Sequence, residues 1–259
     1  VTLLTTTKGE NFVREKERFV NSLNEALLES DNKTFLYIHG FNQTFDQAIK
    51  TAALMNVDLN GLYRNYEKEV PGKEILSRRN LGVPIVFSWP NRENGAQYLC
   101  DKGTSEPGEP GHQIICGKRD SEMSVNTIAP YLNQTLRILL ADTSTNELNI
   151  VVHSLGNRLL LNSLKKFASD FSSVSGRDLT VRIVHAAADI NHTEYYEVMS
   201  DAIRVISAND AGMINLNPEL TNYTSRTDGA HILSRIAVAR LRCRLGRFYE
   251  GNFRPCPPF

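Results

Sequence analysis

A serine at the point where a strand gives way to a helix is the first feature of this sequence that could do chemistry. Ser154 follows the apolar run "NIVV" and a histidine, and Gly156 comes two residues later, before helical spacing resumes in "NRLLLNSL". A sharp turn of this kind, a nucleophile elbow, holds a serine oxygen clear of the backbone. It also leaves the N–H of Leu155 before the helix, where donors lack helical acceptors. Val152 stands where the pattern usually has glycine, and a plain turn that caps the helix is the alternative interpretation.

A second chemical signal follows an earlier apolar run. The residues "FLYI" lead into His39 and Gly40 in the stretch "IHGFNQTF". A loop in this position can supply a second backbone N–H for an oxyanion, here that of Phe41 or of Asn42. The alternative is that His39 makes only local hydrogen bonds and that Gly40 only ends a strand. Two such signals in this order, each at a strand end, favour the catalytic interpretation of both.

A serine nucleophile needs a base and a group that orients the base. Where a nucleophile elbow is used, the acid follows the serine in the chain and the histidine comes last. The candidate acids are Asp210 in "VISANDAG" and Asp189 in "HAAADIN", and we favour Asp210 because it follows the later predicted strand. Of the six histidines only His231 follows Asp210, so it is the predicted base. If His231 lies only on a surface helix, the base is either absent or His192.

Predicted strands and helices alternate through the middle of the chain. Short apolar runs predict strands at 35–38, 83–89, 148–152, 179–188 and 203–207. Helical spacing predicts helices at 12–30, 44–56, 126–142, 157–171, 192–202 and 231–248. Thr44 and Gln47 have the spacing of a capping box, and Pro130 is expected near the start of its helix. This alternation is typical of an α/β protein with a mostly parallel sheet and helices on both faces, whose sites lie at the carboxyl ends of the strands.

The regular pattern stops between about residues 91 and 124, which are rich in glycine, proline and charge. A loop of this length inside a compact domain is often a lid or a binding loop. No repeat or change of composition divides the rest of the chain. We therefore predict one domain over residues 1–259, with an inserted loop or lid at about 91–124. Trp89, which ends a predicted strand, is expected to pack in the core.

The four cysteines bear on the compartment of the protein. No pair has the Cys-x-x-Cys spacing typical of a zinc site, so no metal is predicted. Cys100 and Cys116 bracket one segment with little to pack, and Cys243 and Cys256 bracket another. Two disulfides in a periplasmic or secreted protein would suit this arrangement. Four reduced thiols in a cytoplasmic enzyme are the alternative.

Charge and hydropathy exclude some classes of partner. Lysine plus arginine and aspartate plus glutamate both total 29, so the net charge is zero. Proteins that bind nucleic acid usually carry a basic patch or stripe, so no nucleic-acid partner is predicted. No apolar run approaches the roughly 20 residues that a transmembrane helix needs. The sequence does not indicate an oligomeric state.

Together these motifs resemble the α/β-hydrolase superfamily and, more narrowly, the DUF900 group of predicted bacterial serine hydrolases. The resemblance covers residues 34 to about 212 and is carried, in order, by "FLYIHGFNQTFDQAI", "PIVFSWP", "VVHSLGNRLL", "AAADI" and "RVISANDAG". It implies a three-layer α/β-hydrolase-type fold. It also implies that Ser154 is the nucleophile of a triad in which Asp210 is the acid.

The chemistry implied is hydrolysis of a small-molecule or lipid ester through an acyl-enzyme. His231 would take the proton of Ser154, Asp210 would hold the imidazole, and the N–H groups of Leu155 and Phe41 would stabilise the oxyanion. No cofactor and no metal is needed for these steps. Two other functions stay open: a hydrolase-fold binding protein without turnover, and an acyltransferase with the same triad.

Overall fold

Strands and helices alternate along the chain in the computed structural model. The model describes residues 10–40, 43–69, 81–89, 112–167, 179–188, 190, 192–208 and 214–217. The helices are α1 (Glu10–Leu28), α2 (Phe45–Glu69), α3 (His112–Arg137, continued by a π-helical turn, Ile138–Asp142), α4 (Gly156–Phe167) and α5 (His192–Ala208). The strands are β1 (Lys33–Ile38), β2 (Val83–Phe87), β3 (Glu147–His153), β4 (Leu179–Ala186) and β5 (Ile214–Asn217).

The described strands form one sheet in the order β2-β1-β3-β4-β5. Every pair of neighbours is parallel. At the carboxyl end of the sheet, Ile38 pairs with Phe87 on one side and with Val152 on the other. The residues that follow β1, β2 and β3 therefore emerge side by side at one edge. This is the edge where an open α/β sheet places its site.

Helices cover both faces of the sheet, which gives three layers. Leu36 and Ile38 of β1 belong to the larger buried cluster, together with residues of α1, α3, α4 and α5. Phe35 and Tyr37, which alternate with them, belong to a smaller cluster with two alanines of α2. Successive side chains of a strand point to opposite faces, so β1 is buried on both. The arrangement confirms the predicted α/β fold with a parallel sheet.

The start of α2 confirms the predicted capping box. The backbone N–H of Gln47 donates to Thr44 Oγ1 at 3.2 Å, and the N–H of Thr44 donates to Gln47 Oε1 at 2.9 Å. These two bonds satisfy donors that have no acceptor within the helix. The helix then runs to Glu69, well beyond the predicted end at residue 56.

The strand predicted at 203–207 is wrong, because these residues form the last turns of α5. Buried residues of this helix recur with helical spacing at Tyr195, Val198, Met199 and Ala202. In the sequence Ile206 follows Ala202 by four positions, a spacing that suits a helix as well as a strand, so the apolar run "IRVIS" did not decide between them. The last described strand is β5, at Ile214–Asn217, which sequence patterns did not predict.

The prediction for residues 91–124 is wrong in its second half. α3 begins at His112 and not near residue 126, so residues 112–124 are helical. Pro130 consequently lies inside the helix and not near its start. A proline there removes one backbone donor, and the neighbouring hydrogen bonds carry the helix past it. Residues 91–111 lie outside the described part of the chain, and the single domain with an inserted segment stays a prediction.

None of the helices in the described ranges is long and apolar enough to cross a membrane.

Candidate functional site

Ser154 occupies a sharp turn between β3 and α4. β3 ends at His153 and α4 begins at Gly156, so only two residues join them. Ser154 has a φ of +49°, in the left-handed region that residues with a side chain rarely adopt. Its backbone N–H donates to the carbonyl of Ala186 at the end of β4, at 2.9 Å. Such strain persists only where the surroundings fix it and is common at active sites, and this geometry is typical of a nucleophile elbow.

Gly156 allows α4 to start against the end of β1. A Cβ atom at this position would lie 2.7 Å from the carbonyl oxygen of His39 and 3.0 Å from that of Ile38. Both neighbours are backbone atoms, which a side chain cannot displace cheaply. Glycine is therefore required here by close packing of the helix on the neighbouring strand.

Gly40, in the loop that follows β1, lies directly against the turn that holds Ser154. A Cβ atom on Gly40 would lie 2.8 Å from His153 Nδ1 and 2.8 Å from Ser154 Cβ. The loop after β1 and the turn after β3 are thus in contact, as an oxyanion loop and a nucleophile turn must be. Val152, the departure from the usual pattern, is fully buried in the larger cluster. Its side chain points into the core and leaves the turn clear.

The backbone N–H of Leu155 stands immediately before the first turn of α4. N–H groups at a helix start have no acceptor within the helix and carry the positive end of the helix dipole. The Leu155 side chain is buried, which anchors the residue from the other side. This position suits an oxyanion donor beside the serine.

His39 is a buried group whose hydrogen bonds are not only local, because it contacts both Gly40 and Trp89, 50 residues later. Its Nε2 accepts the backbone N–H of Trp89 at 3.1 Å, so Nδ1 carries the ring proton and donates to the carbonyl of Gly40 at 2.9 Å. The Trp89 indole N–H donates to the carbonyl of His39 at 2.9 Å, and the two rings stack. Burial lowers the pKa of His39, with an opposing contribution from the Gly40 carbonyl. Trp89 is buried in the core, as predicted.

Gln43 fixes the chain just beyond the loop. Tyr37 Oη donates to Gln43 Oε1 at 3.1 Å, and Gln43 Nε2 donates to Thr51 Oγ1 at 2.9 Å. Hydrogen bonds therefore fix His39 and Gln43, the residues that flank this part of the chain.

Three polar residues beneath the Ser154 turn were given no role by the sequence. Asn157 and His185 are fully buried and Tyr195 nearly so. Asn157 Oδ1 lies 2.6 Å from His185 Nδ1, and Tyr195 Oη lies 3.2 Å from His185 Nε2. The available signal was His185 at an inward position of the alternating strand "LTVRIVHA", because a buried polar group requires a partner. No sequence pattern identifies which residues those partners are.

The remaining predicted site residues lie outside the described part of the chain. They are Phe41, Asn42, Asp189, Asp210 and His231, together with Cys100, Cys243 and Cys256 and the side chains of Cys116 and His192. The preference for Asp210 over Asp189 rested on a strand at 203–207, which is helix. That preference has therefore lost its structural reason, and the acid and the base both stay predictions.

Within the described ranges, no three histidine, cysteine, aspartate or glutamate residues gather as a metal site would need.

Comparison with known proteins identifies the family. Residues 15–250 match a family described as "Alpha/beta hydrolase of unknown function (DUF900)". No curated protein and no solved structure matched the chain. The family match covers most of the chain, and it agrees with the three-layer fold and with the turn at Ser154. The chain belongs to the DUF900 family of α/β hydrolases, whose function is unknown.

Proposed function

We propose that the protein is a serine hydrolase that cleaves an ester of a small molecule or a lipid. The observation that carries this proposal is the contact between the segments that follow two neighbouring strands. Ser154 sits at a left-handed φ in the turn after β3, and the Gly40 loop after β1 lies directly against it. A plain helix cap would need neither the strained serine nor the close approach of the glycine loop.

In the proposed mechanism Ser154 attacks the ester carbonyl while His231 takes its proton. The N–H groups of Leu155 and Phe41 donate to the oxyanion of the tetrahedral intermediate. His231 then protonates the leaving alcohol, and a water molecule hydrolyses the acyl-enzyme by the reverse sequence of proton transfers. An aspartate orients the imidazole throughout. These steps require no cofactor.

Two aspartates are candidates for the orienting acid. Asp210 comes from the resemblance, and Asp189 follows β4 in the chain by three residues. The hydrogen bond from the Ser154 N–H to the Ala186 carbonyl ties the nucleophile turn to the end of β4. Because of this bond we retain Asp189 as a second candidate acid in addition to Asp210. Replacing each aspartate by asparagine in turn would show which one acts.

The proposal is tested by labelling the folded protein with a fluorophosphonate, which reacts with activated serines. We expect stoichiometric labelling that is lost in Ser154→Ala and retained in Ser200→Ala, an exposed serine of α5. Folding of each variant is checked by circular dichroism. Absence of labelling in the folded wild-type protein would contradict the proposal and favour a binding protein without turnover. Products formed with an added alcohol would separate a hydrolase from an acyltransferase.

A further inference from the structure

The peptide group between Ser154 and Leu155 is held by Asn157. The carbonyl of Ser154 accepts the backbone N–H of Asn157 at 3.0 Å and the side-chain Nδ2 of the same residue at 2.9 Å. Nδ2 also donates to the carbonyl of Val152 at 3.3 Å. Because a peptide group is planar and trans, the direction of its C=O fixes the direction of its N–H. Holding the Ser154 carbonyl therefore aims the N–H of Leu155.

The backbone carbonyls determine the orientation of every group in this network. Carbonyl oxygens only accept, so the NH₂ side of the Asn157 amide must face Val152 and Ser154. The amide oxygen must then face His185, whose Nδ1 donates the proton over 2.6 Å. Nε2 of the neutral ring is left as an acceptor, and the Tyr195 hydroxyl donates to it. The chain of donors runs in one direction, from Tyr195 through His185 and Asn157 to the Ser154 carbonyl.

This direction requires a neutral His185. Burial lowers the pKa of His185 to about 4, so the ring is neutral near pH 7. Its edge-on contact with the ring of Tyr195 helps to fix the plane of the imidazole. All three side chains are buried, where hydrogen bonds polarise one another more strongly than in water.

We propose that Asn157, His185 and Tyr195 form a relay that aims and polarises the Leu155 N–H as an oxyanion donor. The inference rests on the proposed function of Ser154. The three residues are positioning residues, since the N–H of Leu155 is the group that would touch the substrate. Drawing electron density towards the Ser154 carbonyl makes the N–H of the same peptide a better donor. A preorganised donor of this kind is usually a large contribution to acyl transfer.

The test separates the fluorophosphonate reaction into its binding constant KI and its maximal rate kinact. Removing an oxyanion donor outright slows a reaction about 100-fold or more, and Asn157→Ala only misdirects one. We therefore expect kinact to fall about tenfold with KI unchanged within twofold. Asn162→Ala is the matched control, because Asn162 lies on the same helix and its side chain donates to Asn126 at the surface. A folded Asn157→Ala variant with the wild-type kinact would overturn the relay.

Two substitutions of His185 keep the inference testable if Asn157→Ala fails to fold. His185→Asn retains an N–H donor near the position of Nδ1, whereas His185→Leu fills more of the space and removes the donor. We expect His185→Asn to keep a third or more of the wild-type kinact and His185→Leu to lose about tenfold. The reverse order would mean that His185 only packs, and would overturn the relay.

The outcomes distinguish the relay from the function on which it rests. Wild-type labelling at Ser154 with unaltered kinact in the folded Asn157 and His185 variants removes the relay and leaves the hydrolase. Absence of labelling in the folded wild-type protein removes both. A kinact lowered in Asn157→Ala and His185→Leu, but not in Asn162→Ala, is the result that supports the relay.

Discussion

At the scale of single residues, the site combines a strained serine with close backbone contacts. Ser154 keeps a left-handed φ because β4, α4 and the Gly40 loop all hold its turn. A non-glycine residue in this conformation costs on the order of 1–2 kcal/mol. Hydrogen bonds to its N–H and its carbonyl offset that strain. The Ser154 turn is therefore stabilised by the same network that we propose to act in catalysis.

The buried, neutral His185 makes stability depend on pH. Its pKa of about 4 in the folded protein lies below the ordinary 6.5, so below pH 6.5 the unfolded chain binds a proton that the folded chain does not. The free energy of unfolding therefore falls as pH decreases from 6.5 to 4, by roughly 2–3 kcal/mol at pH 4.5 from this group alone. Its neighbour Tyr195, whose pKa burial raises to about 12, stays neutral throughout.

Urea unfolding at pH 7 and at pH 4.5 measures this effect. We expect the loss of stability between the two pH values to be smaller in His185→Asn than in the wild-type protein, by roughly 2–3 kcal/mol. A residual dependence is expected, because burial also lowers the pKa of His39. Equal pH dependence in the two proteins would contradict a neutral, buried His185.

Single residues differ in how well the sequence predicts them. Ser154 and Gly40 stand in short motifs whose local order carries the chemistry, so each could be found from a few neighbours. The relay could not be found in this way, because Asn157 and His185 lie 28 residues apart on two elements and meet only after packing. The prediction of the acid depended on a strand at 203–207. That segment is helical, so the error affected the choice between Asp210 and Asp189.

At the scale of elements, close packing decides where helices begin. α4 starts against the end of β1, and Gly156 lies at the point of contact. In an ordinary helix Gly→Ala stabilises by up to about 1 kcal/mol, because glycine loses more backbone entropy on folding. At Gly156 the added methyl group would meet two backbone carbonyls, so the substitution should destabilise the protein instead.

We expect Gly156→Ala to lower the free energy of unfolding by about 1–3 kcal/mol, as overpacking does. It should also slow fluorophosphonate labelling, since the displaced helix start carries the Leu155 N–H. Ser200→Ala introduces alanine at an exposed position of α5 and should change stability by less than about 0.5 kcal/mol. Denaturant unfolding measures both variants. A Gly156→Ala protein as stable as the wild type would show that α4 can withdraw from β1 without strain.

The pattern of apolar residues predicted the first four strands of the sheet. It failed where one run fits both a strand and a helix. The first three strands contain short apolar runs followed by polar residues, β4 alternates in burial, and each was found within a few residues. The run "IRVIS" satisfies the apolar pattern of a buried strand and also continues the helical spacing of α5. Such short runs are ambiguous by pattern alone. β5, "INLN", has half its residues polar and too weak a pattern to be predicted.

At the scale of the whole molecule, the parallel sheet places part of the core, at its amino end, far from the candidate site. The large cluster extends along the sheet from Leu148 at the amino end of β3 to Val152 and Leu155 beside the Ser154 turn, which lies at the carboxyl end. Leu148 near the start of β3 is fully buried in that cluster. Six residues of strand, about 20 Å, separate it from Ser154. A cavity at Leu148 should therefore weaken the fold without moving the nucleophile turn.

We expect Leu148→Ala to lower the free energy of unfolding by about 2–5 kcal/mol, as buried leucine truncations do. The rate of Ser154 labelling should stay within twofold of the wild type at temperatures where the variant is still folded. Leu54→Ala is the control, because Leu54 of α2 is 62% exposed and its truncation should change stability by less than about 0.5 kcal/mol. If labelling of folded Leu148→Ala slows as much as that of Gly156→Ala, the turn depends on packing throughout β3 and not on its local contacts alone.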